Sequence, residues 1–187
     1  MKLTNALLSA TIASATLASA RFINGTSSFD VQLKDKFYKP AAEFFWDVVN
    51  HKNAQLSDST HTWIMALTTD VQPYIQTMAN KAEFLPYLAQ LNSKFPDLVD
   101  NVRVAVANSK PWVQDQQRCR DARTAVGDLR TALTHFAKFI ALSLTSSGWV
   151  ADRSADVVSK EHDVDVILAR LTQEFKEGSC IDRVARN

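Results

Sequence analysis

The sequence predicts an all-α fold: a single-domain bundle of five or six helices, with one disulfide stapling a C-terminal helical hairpin. Three observations lead to this prediction. The chain has only 4 glycines and 5 prolines in 187 residues, too few for the turn every roughly 8–12 residues that strand-rich domains need. Apolar residues recur at helical spacing along most of the chain. The chain has 2 cysteines, and they lie at similar distances on either side of Gly148.

Residues 1–20 have the pattern of a secretory signal peptide. They carry one lysine, no acidic residue and a stretch of small apolar residues that ends in Ala18-Ser19-Ala20, which is typical of a cleavage site. The apolar stretch is interrupted by Ser and Thr and is too short to span a bilayer. We therefore expect a short exposed segment over 21–29 and the helical bundle domain over 30–187. Asn24-Gly25-Thr26 is a sequon, so Asn24 is a candidate glycosylation site.

The charge balance argues against polyanionic partners. Loss of residues 1–20 leaves 167 of the 187 residues and removes one lysine, so the basic residues fall from 21 to 20 and equal the 20 acidic ones. No net field then attracts the mature chain to nucleic acid or to an anionic membrane. No later segment is long and apolar enough to span a bilayer. We therefore expect a soluble, secreted, extracellular protein with no transmembrane segment.

The sequence of the first half of the domain predicts four helices. One begins near Asp30 and is expected to kink or restart at Pro40. The second is expected over residues 60–81, with a kink at Pro73. A third ends at Phe95 and a fourth begins at Pro96 or Asp97, because proline favours the first turn of a helix over its interior. The alternating stretch 102–106 could also be a strand, but it would have no partner strand, so helix is preferred.

The second half predicts a helical hairpin. The fifth helix should begin at Pro111 and end near Ser146, and the sixth should begin around residues 152–154 and end before Gly178. Cys119 lies 29 residues before Gly148 and Cys180 lies 32 residues after it. Two antiparallel helices that turn at Gly148 would therefore bring the cysteines level. In a secreted protein this predicts an intramolecular Cys119–Cys180 disulfide.

The sequence contains no recognisable catalytic or cofactor motif. The four glycines are scattered, which rules out a nucleophile elbow, a P-loop and a dinucleotide fingerprint. Glu161, His162, Asp163 and Asp165 lie close together on the sixth helix, but no second group converges on them, and a zinc site needs three or four ligands at set geometry. We interpret them as a solvated polar face and expect neither a metal nor a cofactor.

Basic residues cluster around the two cysteines and suggest one alternative function. Guanidinium groups bind carboxylates and phosphates in a bidentate manner. A small all-helical secreted enzyme acting on an anionic small molecule could bind its substrate with such groups. The candidate anion contacts are Arg118, Arg120, Arg123 and Arg183. Ion pairing with neighbouring acidic residues explains the cluster equally well.

Aromatic and aliphatic residues suggest the leading function. The end of the fifth helix is apolar nearly all round, and such a helix is either deeply buried or contacts something else. The candidate contacts for an apolar ligand or a partner surface are Phe44, Trp46, Phe139, Leu142 and Trp149. We therefore interpret the chain as a non-enzymatic helical binding or effector-type protein, expected to be monomeric, whose partner is a hydrophobic small molecule or an extracellular protein.

A structural protein of the cell surface or cell wall is a further alternative. A secretory leader, a small helical domain and one disulfide are shared by several groups of secreted proteins, among them surface-binding proteins, effectors and all-helical chorismate mutases. The sequence carries no residue motif of any of them.

Overall fold

The computed structural model describes residues 28–50, 56–148 and 154–183, with side chains from residue 31 in the first range and from residue 159 in the third. The candidate sites Asn24 and Trp149 and the predicted signal peptide lie outside these residues. All regular structure in the described ranges is helical, which confirms the all-α prediction, including the helix across residues 102–106. None of these helices combines the length and apolar character needed to cross a membrane.

The described residues form five helices. Helix α1 runs through three successive segments, Ser28–Leu33, a π-helical turn Lys34–Tyr38, and Lys39–Asn50. Helix α2 is built the same way from Leu56–Met65, a π-helical turn Ala66–Val71, and Gln72–Met78. Helices α3 (Leu85–Asp115), α4 (Cys119–Ser146) and α5 (Ser154–Phe175) are long and regular.

Each π-helical turn ends just before a proline. The backbone N–H of Lys39 bonds to the carbonyl of Lys34, five residues back, and that of Gln72 bonds to the carbonyl of Leu67 in the same way. Pro40 and Pro73 follow these two residues. A proline ring crowds the carbonyl four residues before it, and the wider turn gives that carbonyl more room. The two π-helical turns also contact each other.

The predicted boundary between a third and a fourth helix at Pro96 is wrong, because α3 passes through it without a break. The buried positions of α3 keep helical register on both sides of Pro96, from Leu88 and Leu91 to Val99 and Val102. Continuous burial of this apolar face offsets the single backbone hydrogen bond that the proline removes.

The predicted start of the next helix at Pro111 is also wrong. Pro111 lies inside α3, and α4 begins at Cys119. Between them Gln117 has a φ of 57°, and the N–H groups of Gln117 and Arg118 bond back to the carbonyls of Gln114 and Val113 at 3.1 and 3.0 Å. This is the Schellman ending of a helix, with glutamine in the left-handed position that glycine usually takes.

Helix α4 is the centre of the bundle, and α2, α3 and α5 all pack against it. Three phenylalanines join α1, α3 and α4. The ring of Phe136 stacks on Phe37 with a centroid separation of 5.6 Å and meets Phe95 edge-on at 5.3 Å. Each of the three rings is at most 2% exposed, so these contacts fix how the first helix sits on the rest of the bundle.

The C-terminal hairpin and its disulfide are confirmed. Helix α4 ends at Ser146, Gly148 has a φ of 71°, and α5 returns antiparallel to α4. The Cα atoms of Cys119 and Cys180 are 5.5 Å apart across the S–S bond. The disulfide therefore ties the residues that follow α5 to the first residue of α4.

Candidate functional site

A cleft of about 70 Å³ lies between α1 and α3. We call it the α1–α3 cleft. Two consecutive residues of the first π-helical turn and residues from three turns of α3 line it: Phe37, Tyr38, Gln90, Leu91, Lys94, Phe95, Asp97 and Leu98. The cleft thus lies beside the place where α1 departs from regular α-helix, and π-helical turns are frequent at functional sites.

The floor of the cleft is apolar and its rim is polar. Phe37, Leu91, Phe95 and Leu98 are each at most 5% exposed, and they present carbon atoms to the space. At the rim, the Nζ atom of Lys94 lies 3.9 Å from Oδ2 of Asp97, and both side chains are largely in solvent. This pairing leaves little net charge at the mouth, so the cleft suits a neutral apolar group better than an ion.

Tyr38 brings a hydroxyl group to the same rim. Its ring meets Phe37 edge-on, with centroids 5.0 Å apart. Burial raises the pKa of Tyr38 from 10.0 to about 12, because the phenolate would lose hydration there. The phenol is therefore neutral at physiological pH and can both donate and accept a hydrogen bond.

The size of the cleft limits what it can hold. Its volume is about half of the ~150 Å³ at which an apolar cavity accommodates benzene. A group of about four carbons, such as the end of a leucine side chain, suits this space. At about 0.8 kcal/mol for each buried methylene group, the cleft alone would contribute about 3 kcal/mol and bind a free small molecule only at millimolar concentration or weaker.

The structure divides the predicted apolar contact residues between the core and the surface. Phe44 is 2% exposed and stacks on Trp63 with a centroid separation of 4.9 Å, so it is a core residue. Phe139 is partly buried and stacks on Phe136. Trp46 and Leu142 are 53% and 57% exposed, on α1 and α4. None of these four residues lines the α1–α3 cleft.

The sequence analysis missed the cleft, although the sequence contains a usable indication of it. Phe37 and Tyr38 are adjacent aromatic residues, of which Phe37 is fully buried and Tyr38 is partly exposed. They also lie within three residues of Pro40. An aromatic pair just before a mid-helix proline indicates a place where the helix widens and a second ring reaches a groove.

The four candidate arginines do gather at one end of the bundle, as predicted, but two of them are occupied by the protein itself. The Nε atom of Arg123 donates to the carbonyl of Phe175, the last residue of α5, at 3.1 Å. Arg183 binds the carboxylate of Asp115 at 2.8 Å. Arg120 is exposed and Arg118 is partly exposed. Arg123 and Arg183 therefore bind groups at the ends of α5 and α3.

The acidic and histidine residues of α5 behave as a polar face. Asp165 accepts two hydrogen bonds from Arg130 of α4, at 3.2 and 2.9 Å, and Asp163 pairs with Lys160 at 3.8 Å. The described part of the chain contains no group of three or more potential ligands that could hold a metal ion.

No protein-family model, no curated protein and no solved structure matches this chain. The residues and their geometry are therefore the whole basis for a function.

Proposed function

We propose that this chain is a secreted, non-enzymatic helical binding protein that receives an aliphatic side chain of an extracellular partner protein in the α1–α3 cleft. The observation that carries the proposal is the cleft itself, with its floor of buried aromatic and aliphatic residues beneath a polar rim. Protein interfaces are commonly anchored by a single side chain of one protein that fills a pocket on the other. Secretion is supported by the pattern of residues 1–20 and by the disulfide, which is typical of oxidising compartments.

Size favours a partner protein over a free hydrophobic ligand. A lipid or sterol would need a cavity several times larger than about 70 Å³. A protein partner needs the cleft only for its anchor residue and obtains the remaining affinity from the surrounding surface. Tyr38, which also lines the cleft, has a neutral phenol that can donate a hydrogen bond to the backbone of such a segment or accept one from it.

The proposal can be tested with N-acetyl-leucine amide as a probe. Titration to tens of millimolar, about the affinity that the cleft can supply, should shift the NMR methyl signals of Leu91 and Leu98 in a saturable way. Leu98→Phe should fill the cleft and abolish the shift. Leu142→Phe makes the same change at an exposed site on α4 and should leave the shift intact.

Two results would remove the proposal. One is the absence of any saturable shift in the wild-type protein. The other is an unchanged shift in a folded Leu98→Phe variant, because binding would then occur somewhere else. Thermal unfolding of both variants establishes that each is folded before it is titrated.

A further inference from the structure

The disulfide is buried at the edge of the hydrophobic core. Cys119 and Cys180 are each only 3% exposed. Thiol–disulfide exchange requires an external thiolate to reach one of the sulfur atoms. Reduction therefore requires that the residues around the bond first move apart.

Polar contacts beside the disulfide hold this segment closed. The carboxylate of Asp182 accepts a hydrogen bond from the backbone N–H of Cys119 at 2.9 Å. The backbone N–H of Arg183 donates to the carbonyl of Gln114 at 3.0 Å, and the carbonyl of Arg183 accepts from Nε2 of Gln117 at 3.2 Å. We call residues 180–183, together with these contacts, the C-terminal latch.

The latch also completes the first turn of α4. The residue before this helix, Arg118, makes no capping hydrogen bond with its side chain. Asp182, which lies 63 residues after Cys119, supplies the missing acceptor. Its carboxylate also places a negative charge at the positive end of the helix. Opening of the latch would therefore leave the start of the central helix without its cap, and because the latch includes Cys180, we expect it to expose the sulfur atoms as well.

We propose that the C-terminal latch is a redox-gated device: its polar contacts set how readily the disulfide is reduced, and reduction releases the start of α4. In the reaction, an external dithiol supplies two electrons and two protons and becomes a cyclic disulfide. Cys119 and Cys180 become thiols. The latch is then held by its hydrogen bonds alone, without the covalent link that kept them together. This inference does not depend on the proposed binding function.

Reduction kinetics test the proposal. The protein is treated with excess dithiothreitol, and free thiols are counted by alkylation and mass spectrometry. Asp182→Asn replaces the charge-assisted hydrogen bond with a weaker neutral one, which should raise the open population and the reduction rate about fivefold. The neighbouring variant Ile181→Ala, which changes an exposed side chain, should react within about twofold of the wild type.

A remote core variant separates local opening from global unfolding. Ile75→Val changes a fully buried side chain of α2 and should lower overall stability by an amount similar to that of Asp182→Asn. If the latch opens locally, Ile75→Val leaves the reduction rate unchanged. Equal acceleration by the two variants, or no acceleration by Asp182→Asn, would overturn the proposal.

Hydrogen exchange tests the second half of the proposal. The amides of Cys119 and Ala122, which donate to Asp182 and to the carbonyl of Arg118, should exchange at least tenfold faster in the reduced protein than in the oxidised one, whereas those near Phe136 should change little. Equal exchange rates of these first amides of α4 in the two forms would show that reduction does not release the start of the helix.

Discussion

The carboxylate of Asp182 caps the helix that begins at Cys119, with a distance of 2.9 Å between Oδ1 and the backbone nitrogen. The two residues lie directly beside the disulfide that joins Cys119 to Cys180. An ordinary N-cap residue directly precedes its helix in the sequence, whereas Asp182 follows the second helix of the hairpin. The capping of α4 and the pairing of the cysteines are therefore linked.

Removal of this cap should measurably destabilise the protein. Asp182→Ala should lower the free energy of unfolding by about 1 kcal/mol, the usual effect of losing a capping side chain. Urea denaturation monitored by circular dichroism measures the change. Ile181→Ala serves as the control and should stay within about 0.5 kcal/mol of the wild type. Equal stability of Asp182→Ala and the wild type would mean that the hydrogen bond contributes nothing net.

The disulfide should contribute more than any single hydrogen bond. The two cysteines are 61 residues apart, and the chain-entropy treatment gives about 4 kcal/mol for a loop of that size. The double variant Cys119→Ala, Cys180→Ala should therefore have a much lower urea midpoint and a steeper slope, because its unfolded chain is no longer cross-linked and exposes more surface. A loss below about 1 kcal/mol would indicate that the unfolded chain is already compact near these residues.

Truncation of two nearby aromatic residues of α1 should change the stability of the protein by very different amounts. Phe44→Ala removes a buried ring that stacks on Trp63, and it should cost about 3–5 kcal/mol. Trp46→Ala shortens a side chain that is 53% exposed, and it should change stability by less than about 1 kcal/mol. Thermal or urea unfolding of the two variants gives the comparison. A larger loss for Trp46→Ala would mean that the helix is rotated from the orientation described above.

Removal of the Thr60 hydroxyl group should increase the stability of the protein. The side chain is 2% exposed, and its Oγ1 atom has no hydrogen-bond partner among the described residues. Thr60→Val keeps the shape and removes the unsatisfied polar atom, so it should stabilise the protein by about 1 kcal/mol. The adjacent buried Ser59 donates to Asp47 at 3.4 Å, and Ser59→Ala should lower stability. Urea denaturation of the two variants should give changes of opposite sign.

Tyr38 should make the protein sensitive to alkali. The folded protein keeps the phenolic proton up to about pH 12, whereas the unfolded chain loses it near pH 10. Between these values the unfolded state binds fewer protons, so the free energy of unfolding falls as the pH rises. The stabilisation is fully present below pH 10, and its total loss amounts to about 3 kcal/mol.

Comparison with Tyr38→Phe isolates this effect. Urea denaturation at about pH 9 and about pH 11 should show a smaller decrease for the variant than for the wild type. Ultraviolet absorbance titration should show that the variant lacks one tyrosine that ionises near pH 12 in the wild type. The assignment is wrong if Tyr38→Phe loses as much stability over this interval as the wild type.

The hairpin and its disulfide could be predicted from the sequence because they depend on local quantities. Helical spacing, Gly148 and the matched distances to Cys119 and Cys180 together left little choice of arrangement. The boundaries at Pro96 and Pro111 could not be predicted, because tolerance of a proline within a helix depends on how much apolar surface the uninterrupted helix buries. That quantity belongs to the assembled bundle and not to a window of sequence.

The candidate site was harder to predict for a related reason. The periodicity of α1 grouped Phe44 and Trp46 as apolar contact residues, whereas Phe44 is buried and Trp46 is exposed, and it could not show that a π-helical turn brings Tyr38 to a cleft beside α3. The arginines were correctly placed at one end of the bundle. Their hydrogen bonds to Phe175 and Asp115 depend on side-chain directions that sequence spacing does not determine.

The covalent link between Cys119 and Cys180 also changes what a protease can achieve. A single backbone cut at any point between these two residues leaves both pieces in one molecule, and the packed faces of α4 and α5 keep them in place. Release of a fragment needs two events, a cut and a reduction. In an environment rich in proteases and poor in free thiols, nicking alone would not dismantle this half of the protein.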